Sequence, residues 1–396
     1  MGIVPLRPYL DFITRIFRGW NMAEKTKSRR NGRIEILRFV FAFIVLLHHS
    51  RYLLGDDNCY FLGGSLGVEF FFIVSGFLMM NTVDRIASSK NYNTIPVDRN
   101  LANETASFIK KKIKAVLPQF PIAWFIGLIF VIIIGQMSIV EAFEEFEESF
   151  WELSLLKMTG IYDGGLDGVM WYISSMLICM TILYPLLRKF PHMMRKIWCP
   201  FLALMLLGMM CILDGHPRNP TKVYSIIYKG NIRAFAEICI GIWSFDIVRK
   251  IKNINWSGLA RVIFEIVQLT GYLMAIVYMY MEKPGRDDYF FLMILSISVI
   301  LSFAQVGILS EVYNNRFSMI LGRFSAAMYF SHLYYAQNLN LILSDSLTKQ
   351  QKTVIYVACS LVTALVVEAL AFLYKKVSPN FKRGLKAILV KDEKDN

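Results

Sequence analysis

Ile34-Glu35-Ile36-Leu37-Arg38-Phe39-Val40-Phe41-Ala42-Phe43-Ile44-Val45-Leu46-Leu47-His48-His49-Ser50 is the stretch whose reading decides the fold. It is apolar over the length of a bilayer span, yet it holds Arg38 and His49. Eleven residues at about 100° each bring these two to within about 20° of one helix face, about 16 Å apart along the axis. His48 points about 100° away. Ionisable groups are costly inside a bilayer and are functional candidates by default. A cation near one surface and an imidazole deep on the same face therefore predict a polar path into the membrane.

The rest of the chain agrees with a membrane protein. It has 396 residues, of which 55% are hydrophobic, and its mean hydropathy is +0.45. Apolar runs of about 18–25 residues recur from end to end, which excludes an ordinary soluble domain. The expected fold is all-α and polytopic, with about ten transmembrane helices near 36–54, 66–83, 120–137, 168–187, 196–213, 231–249, 257–281, 287–306, 318–341 and 352–374. Residues 1–33 read as a basic cytoplasmic segment, 34–376 as one transmembrane domain and 377–396 as a basic cytoplasmic tail. Leu10, Ile13, Ile16, Phe17 and Trp20 would suit an interfacial helix. No signal peptide is expected, and Met22 is an alternative start.

The net charge of +13 falls in loops rather than in a nucleic-acid face. Arg85, Lys90, Arg99 and Lys110–Lys114 precede the third span; Arg188, Lys189, Arg195 and Lys196 follow the fourth. Arg249, Lys250 and Lys252 follow the sixth, and Lys375, Lys376, Lys382, Arg383 and Lys386 follow the last. With ten spans these all lie on one side, which the positive-inside rule makes the cytoplasm, with both termini, in a plasma membrane. The opposite side carries Glu141, Glu144, Glu145, Glu147, Glu148 and Glu152, with Ala142, Phe143, Phe146 and Phe150 near helical spacing, so a short amphipathic external helix is expected there. The six cysteines lack metal-ligand spacing and read as membrane thiols, so no metal is invoked.

Several side chains are candidates for chemistry. A neutral imidazole is a suitable base near neutral pH, which makes His49 the catalytic candidate; a core histidine that only hydrogen-bonds is the alternative. Glu69, entering from the outer side in the second span, should reach the depth of His49 and orient its ring, as a carboxylate does in a hydrolase triad. Glu35 lies one turn from Arg38 and suits an ion pair. Gly67 and Gly76 would allow close helix approach. Arg233 begins the sixth span with Glu237 one turn deeper; Arg323 and His332 lie in the ninth.

Arg38 and His49 followed by Gly63-Gly64-Ser65-Leu66-Gly67-Val68-Glu69-Phe70-Phe71-Phe72-Ile73-Val74-Ser75-Gly76-Phe77 resemble the acyltransferase-3 family of multispan membrane acyltransferases. Phe108 to Pro118, with its lysines, is similar to that family's basic stretch ending in proline. Trp171-Tyr172-Ile173-Ser174-Ser175-Met176 and Tyr184-Pro185 resemble its fourth-span signature, and Leu321-Gly322-Arg323-Phe324-Ser325 with Tyr329 and His332 its late pattern. The chain departs from the family at the basic stretch, where lysines and Ala115 replace an Arg pair and remove a bidentate phosphate grip, and at Glu69, where Asp is common. The resemblance implies O-acyl transfer, of acetyl in particular, from acyl-CoA as donor substrate to a surface polysaccharide or lipid-linked glycan, with no bound cofactor. It also implies donor binding at Arg38, Lys111, Lys112 and Lys114 and catalysis at His49 with Glu69. Trp171, Tyr172 and Arg233 would bind the acceptor; Glu35, Ser75, Arg323 and His332 would support the site. A transporter or flippase for a glycan or small anion is the alternative, since buried charges also mark transport paths.

Overall fold

The computed structural model of the chain describes residues 30–88, 97–161, 165–166, 168–281 and 283–392, without side chains at 57, 97–99 and 378–392. The expected interfacial helix at 10–20 lies outside the described residues. The architecture is all-α: α1 Gly32–His49, α2 Gly67–Ala87, α3 Val97–Val116, α4 Gln119–Ile134, α5 Ile139–Leu153, α6 Trp171–Lys189 and α7 Cys199–Asp214 come first. A two-residue hairpin, β1 Val223–Tyr224 with β2 Ile227–Tyr228, then leads into α8 Lys229–Lys252. The last five are α9 Gly258–Met281, α10 Asp287–Ala304, α11 Arg316–Phe330, α12 Leu333–Asn338 and α13 Lys349–Asp392.

Seven helices among the described residues are long and apolar enough to cross a membrane, and the bent pair α3–α4 would make eight. Two of the ten expected spans, the sixth and the ninth, do not meet these criteria of length and composition, for two physical reasons. Helix α8 is long enough but carries Lys229, Arg233, Glu237, Asp246, Arg249, Lys250 and Lys252. Its inward face is shielded by protein: Ala234, Ala236, Ile238 and Cys239 are fully buried. Helix α11 has only 15 residues, and the ninth expected span breaks at Ser331–His332 before resuming as α12. The third span also differs, because the lysine stretch read as a loop is helix α3, bent by 46° from α4 around Pro118.

Local chemistry explains where the elements start and how they pack. The Asn31 side chain caps α1 by accepting from the backbone N–H groups of Arg33 and Ile34. Arg33 then buries its guanidinium against Glu265 of α9, at 2.7 and 2.8 Å. Arg33, expected in a basic tail, is thus part of the helical bundle. Helices α2 and α8 cross where Gly76 and Gly241 face each other's backbones. A Cβ at Gly76 would lie 2.1 Å from the Ile238 carbonyl oxygen, and one at Gly241 2.1 Å from that of Ile73. Lipid is as apolar as leucine, so such close backbone approach is what holds membrane helices together.

Tyr184 and Arg188 of α6 both donate to Glu104 of α3, at 2.6 Å and, for Arg188 Nη2, 2.9 Å. This clamp fixes the basic stretch against the bundle. Helix α5 starts in a capping box: Glu141 N–H donates to Ser138 Oγ, and Ser138 N–H donates to Glu141 Oε2 at 2.7 Å. It exposes Ile139, Val140 and Phe143 and is the amphipathic helix expected opposite the basic loops. Ile263, Ile266 and Leu273 of α9 and Leu204 and Ile212 of α7 are also exposed, as lipid-facing side chains should be.

Candidate active site

The two ends of α1 open into different cavities. The one at its C-terminal end has a volume near 600 Å³ and is lined by His49, Ser65, Trp171, Arg218, Arg233 and Tyr329, among others. The one at its N-terminal half has a volume near 560 Å³ and is lined by Arg38, Glu35 and Asp84, with Arg30, Arg249 and Lys252. The rise of a helix separates Arg38 from His49 by about 16 Å. On α2, Phe71 and Phe72 fall between Val68, which lines the first cavity, and Phe77, which lines the second; their rings contact those of Tyr172 and Tyr329 with centroids 4.7–6.5 Å apart. The Ser75 hydroxyl lies 3.5 Å from that of Tyr172.

His49 meets His332, not Glu69. Its Nδ1 lies 2.9 Å from His332 Nε2, and His332 Nδ1 lies 2.8 Å from the Tyr329 carbonyl oxygen. That carbonyl can only accept, so His332 carries its proton on Nδ1. The Nε2 of neutral His332 then accepts from Nδ1–H of His49. Nε2 of His49 is left as the basic nitrogen, the tautomer a general base needs. The helix break at Ser331–His332 produces this arrangement: Tyr329 is in the last turn of α11, where carbonyls lack intrahelical partners.

Glu69 is fully buried, and its Oε1 lies 2.6 Å from Arg233 Nη2. Arg233 Nε donates to Glu237 at 3.2 Å, and Nη2 donates to the Ser65 carbonyl oxygen at 2.9 Å. The expected Glu69–His49 dyad is thereby replaced by an Arg233-centred cluster. A fully desolvated carboxylate takes a guanidinium when one is in reach, because an unpaired buried charge is far more costly. The Arg233 guanidinium also sits 5.4 Å from the Trp171 ring centre.

The other candidates divide by position. Trp171 and Arg233 line the His49 cavity, whereas Tyr172 does not; its ring packs on that of Phe72 at 4.7 Å. Arg38 Nη1 lies 3.8 Å from Glu35 Oε2, as an ion pair one turn apart should. Lys112 sits 5.3 Å from the Phe108 ring centre and feels the charge of Arg38. Lys111 and Lys114 are exposed, and neither lines the Arg38 cavity. Arg323 faces the charge of Glu368 on α13.

Sequence reasoning passed over Arg30, Arg249 and Lys252 as donor candidates, because clustered loop cations are ordinary in a membrane protein. It also passed over Ser65 and Arg218. Arg218 pairs with Asp288 through Nε at 2.8 Å and joins its own loop to the first turn of α10. The three-residue spacing from Tyr329 to His332 in the late motif was the one signal for the His49–His332 contact.

A family model described as an acyltransferase domain, acyltransferase-3, matches residues 31–373. No curated protein and no solved structure matches the chain. With nearly its whole length matched, including every candidate residue above except Arg30, the chain belongs to the acyltransferase-3 family of membrane acyltransferases.

Proposed function

We propose that this acyltransferase moves an acetyl group from cytoplasmic acetyl-CoA to a hydroxyl of an extracytoplasmic glycan. The observation that carries this reading is the pair of cavities at the two ends of α1, one lined by Arg38 with Arg30, Arg249 and Lys252, the other by His49, which meets His332. In the Arg38 cavity four cations face two carboxylates, a balance that suits the phosphates of CoA. Arg38, Arg249 and Lys252 would hold them, with Lys112 beside Arg38. The pantetheine arm would pass Ser75 and Tyr172 toward His49. There the acceptor hydroxyl attacks the thioester carbon while its proton passes to His49 Nε2. The carbon–sulfur bond then breaks, and the leaving thiolate takes up a proton. The protein would sit in a plasma membrane, with the Arg38 cavity and both termini on the cytoplasmic side, as the loop charges favour.

The test is proton NMR of ester-linked acyl groups on surface glycans. Wild-type cells are compared with a deletion strain and with the deletion carrying His49→Ala at equal membrane abundance. The acetyl signals should vanish in the deletion and stay absent with His49→Ala. Signals unchanged by deletion would remove the glycan as acceptor; signals restored by His49→Ala would remove His49 as base.

A further inference from the structure

Two residues that line the His49 cavity each hold a buried atom that makes no hydrogen bond: Arg233 Nη1 and Ser65 Oγ. Buried donors are almost always satisfied, so such atoms ask what completes them. They are held together, since Arg233 Nη2 donates to the carbonyl oxygen of Ser65 itself. Both residues line the cavity that His49 lines. Gly64 packs so tightly on α1 that a Cβ there would lie 2.6 Å from the His48 Cβ. One at Gly67 would lie 3.2 Å from Val45 Cγ2. Ser65, between these glycines, is thereby pressed against the last turns of α1, the turns that carry His49.

We infer that Ser65 Oγ–H and Arg233 Nη1–H form an oxyanion hole for the acyl transfer. This rests on the acyltransferase mechanism proposed above. When the acceptor oxygen bonds to the thioester carbon, the carbonyl π pair moves onto the carbonyl oxygen, and the acceptor's proton goes to His49. The two donors receive that oxygen as it becomes negative. The pair then returns, the carbon–sulfur bond breaks, and the sulfur takes the proton from His49. Preorganised donors in a dry site act most strongly where charge develops.

The alternative occupant is a permanent anion on the acceptor. The cluster argues against it, because Glu69 and Glu237 both already face the single guanidinium of Arg233. A lasting negative charge would meet two buried carboxylates. An oxygen that is neutral when it arrives and negative only in passing meets two donors and displaces no ion pair.

Ser65→Ala tests this, because it deletes the hydroxyl and leaves the backbone carbonyl that Arg233 uses. Purified enzyme is given [14C]acetyl-CoA and, as acceptor source, membranes from source cells lacking the enzyme. For Ser65→Ala the maximal transfer rate should fall by about 10²–10³-fold, with the donor KM within about twofold and the melting temperature unchanged. Ser65→Thr, which keeps a hydroxyl, should regain most of the rate. A rate within about threefold of wild type overturns the inference, and so does a loss that excess acceptor membrane repairs, which would mark Ser65 as an acceptor contact. Absence of transfer by the wild-type enzyme under these conditions would instead strike the acetyl-CoA reading itself.

Discussion

His49 and His332 lie 283 residues apart in the chain, and their contact defines what each ring can do. The Tyr329 carbonyl sets the proton on one nitrogen of His332, His332 sets it on one nitrogen of His49, and the basic position follows. His332 therefore acts as a positioning residue. His332→Ala should lower the transfer rate by on the order of 10²-fold, within the range of about 10²–10⁴ that a general base supplies. His332→Gln, whose amide oxygen can accept from His49 Nδ1–H, should retain most of the rate. Equal losses in both variants, measured at matched protein abundance, would return His332 to a packing role. At this scale the sequence was half legible. Arg38 and His49 stood out because charge inside an apolar helix has no cheap explanation. Glu69 was paired with the wrong partner because depth along a helix says nothing about which neighbour packs beside it. Arg233, on another helix, outbid His49 for that carboxylate.

Among the helices, the crossing of α2 over α8 sets backbone against backbone and bears on the site, since α2 carries Glu69 and α8 carries Arg233. Gly76→Leu would drive a side chain into the backbone of Ile238, where nothing can rotate out of the way. It should destabilise the protein by about 1–3 kcal/mol, read as a lower melting temperature in detergent. Gly208→Leu on α7, which has open space at its Cβ position, should leave the melting temperature nearly unchanged. Helix positions were largely readable from apolar runs, since a bilayer demands them. Helix interruptions were not. The break at Ser331–His332 sits inside a run that hydropathy alone joins, and the lysines of α3 read as a loop because charge masks helical periodicity. The close crossing was foreshadowed by Gly76, but its partner Gly241 lies in a helix whose charges drew the attention instead.

The whole molecule has a cationic cavity at one end of α1 and the paired imidazoles at the other, and long-range charge belongs to this scale. Arg249→Glu combined with Lys252→Glu should weaken acyl-CoA binding about tenfold or more, with wild-type affinity falling as salt rises because phosphate contacts by exposed cations are screened. Isothermal titration at two ionic strengths checks this; unchanged affinity would move the donor elsewhere. Charge on α8 also bears on how the protein is made. A segment with Arg233 and Glu237 near its start is a poor candidate to enter a bilayer unaided. Yet Glu69, the counter-ion of Arg233, and Gly76, the seat of its backbone, both lie upstream in α2. During synthesis from the N-terminus, the ribosome completes that receiving surface before it completes α8. The order of the chain thus gives the arginine a partner already inserted when it arrives.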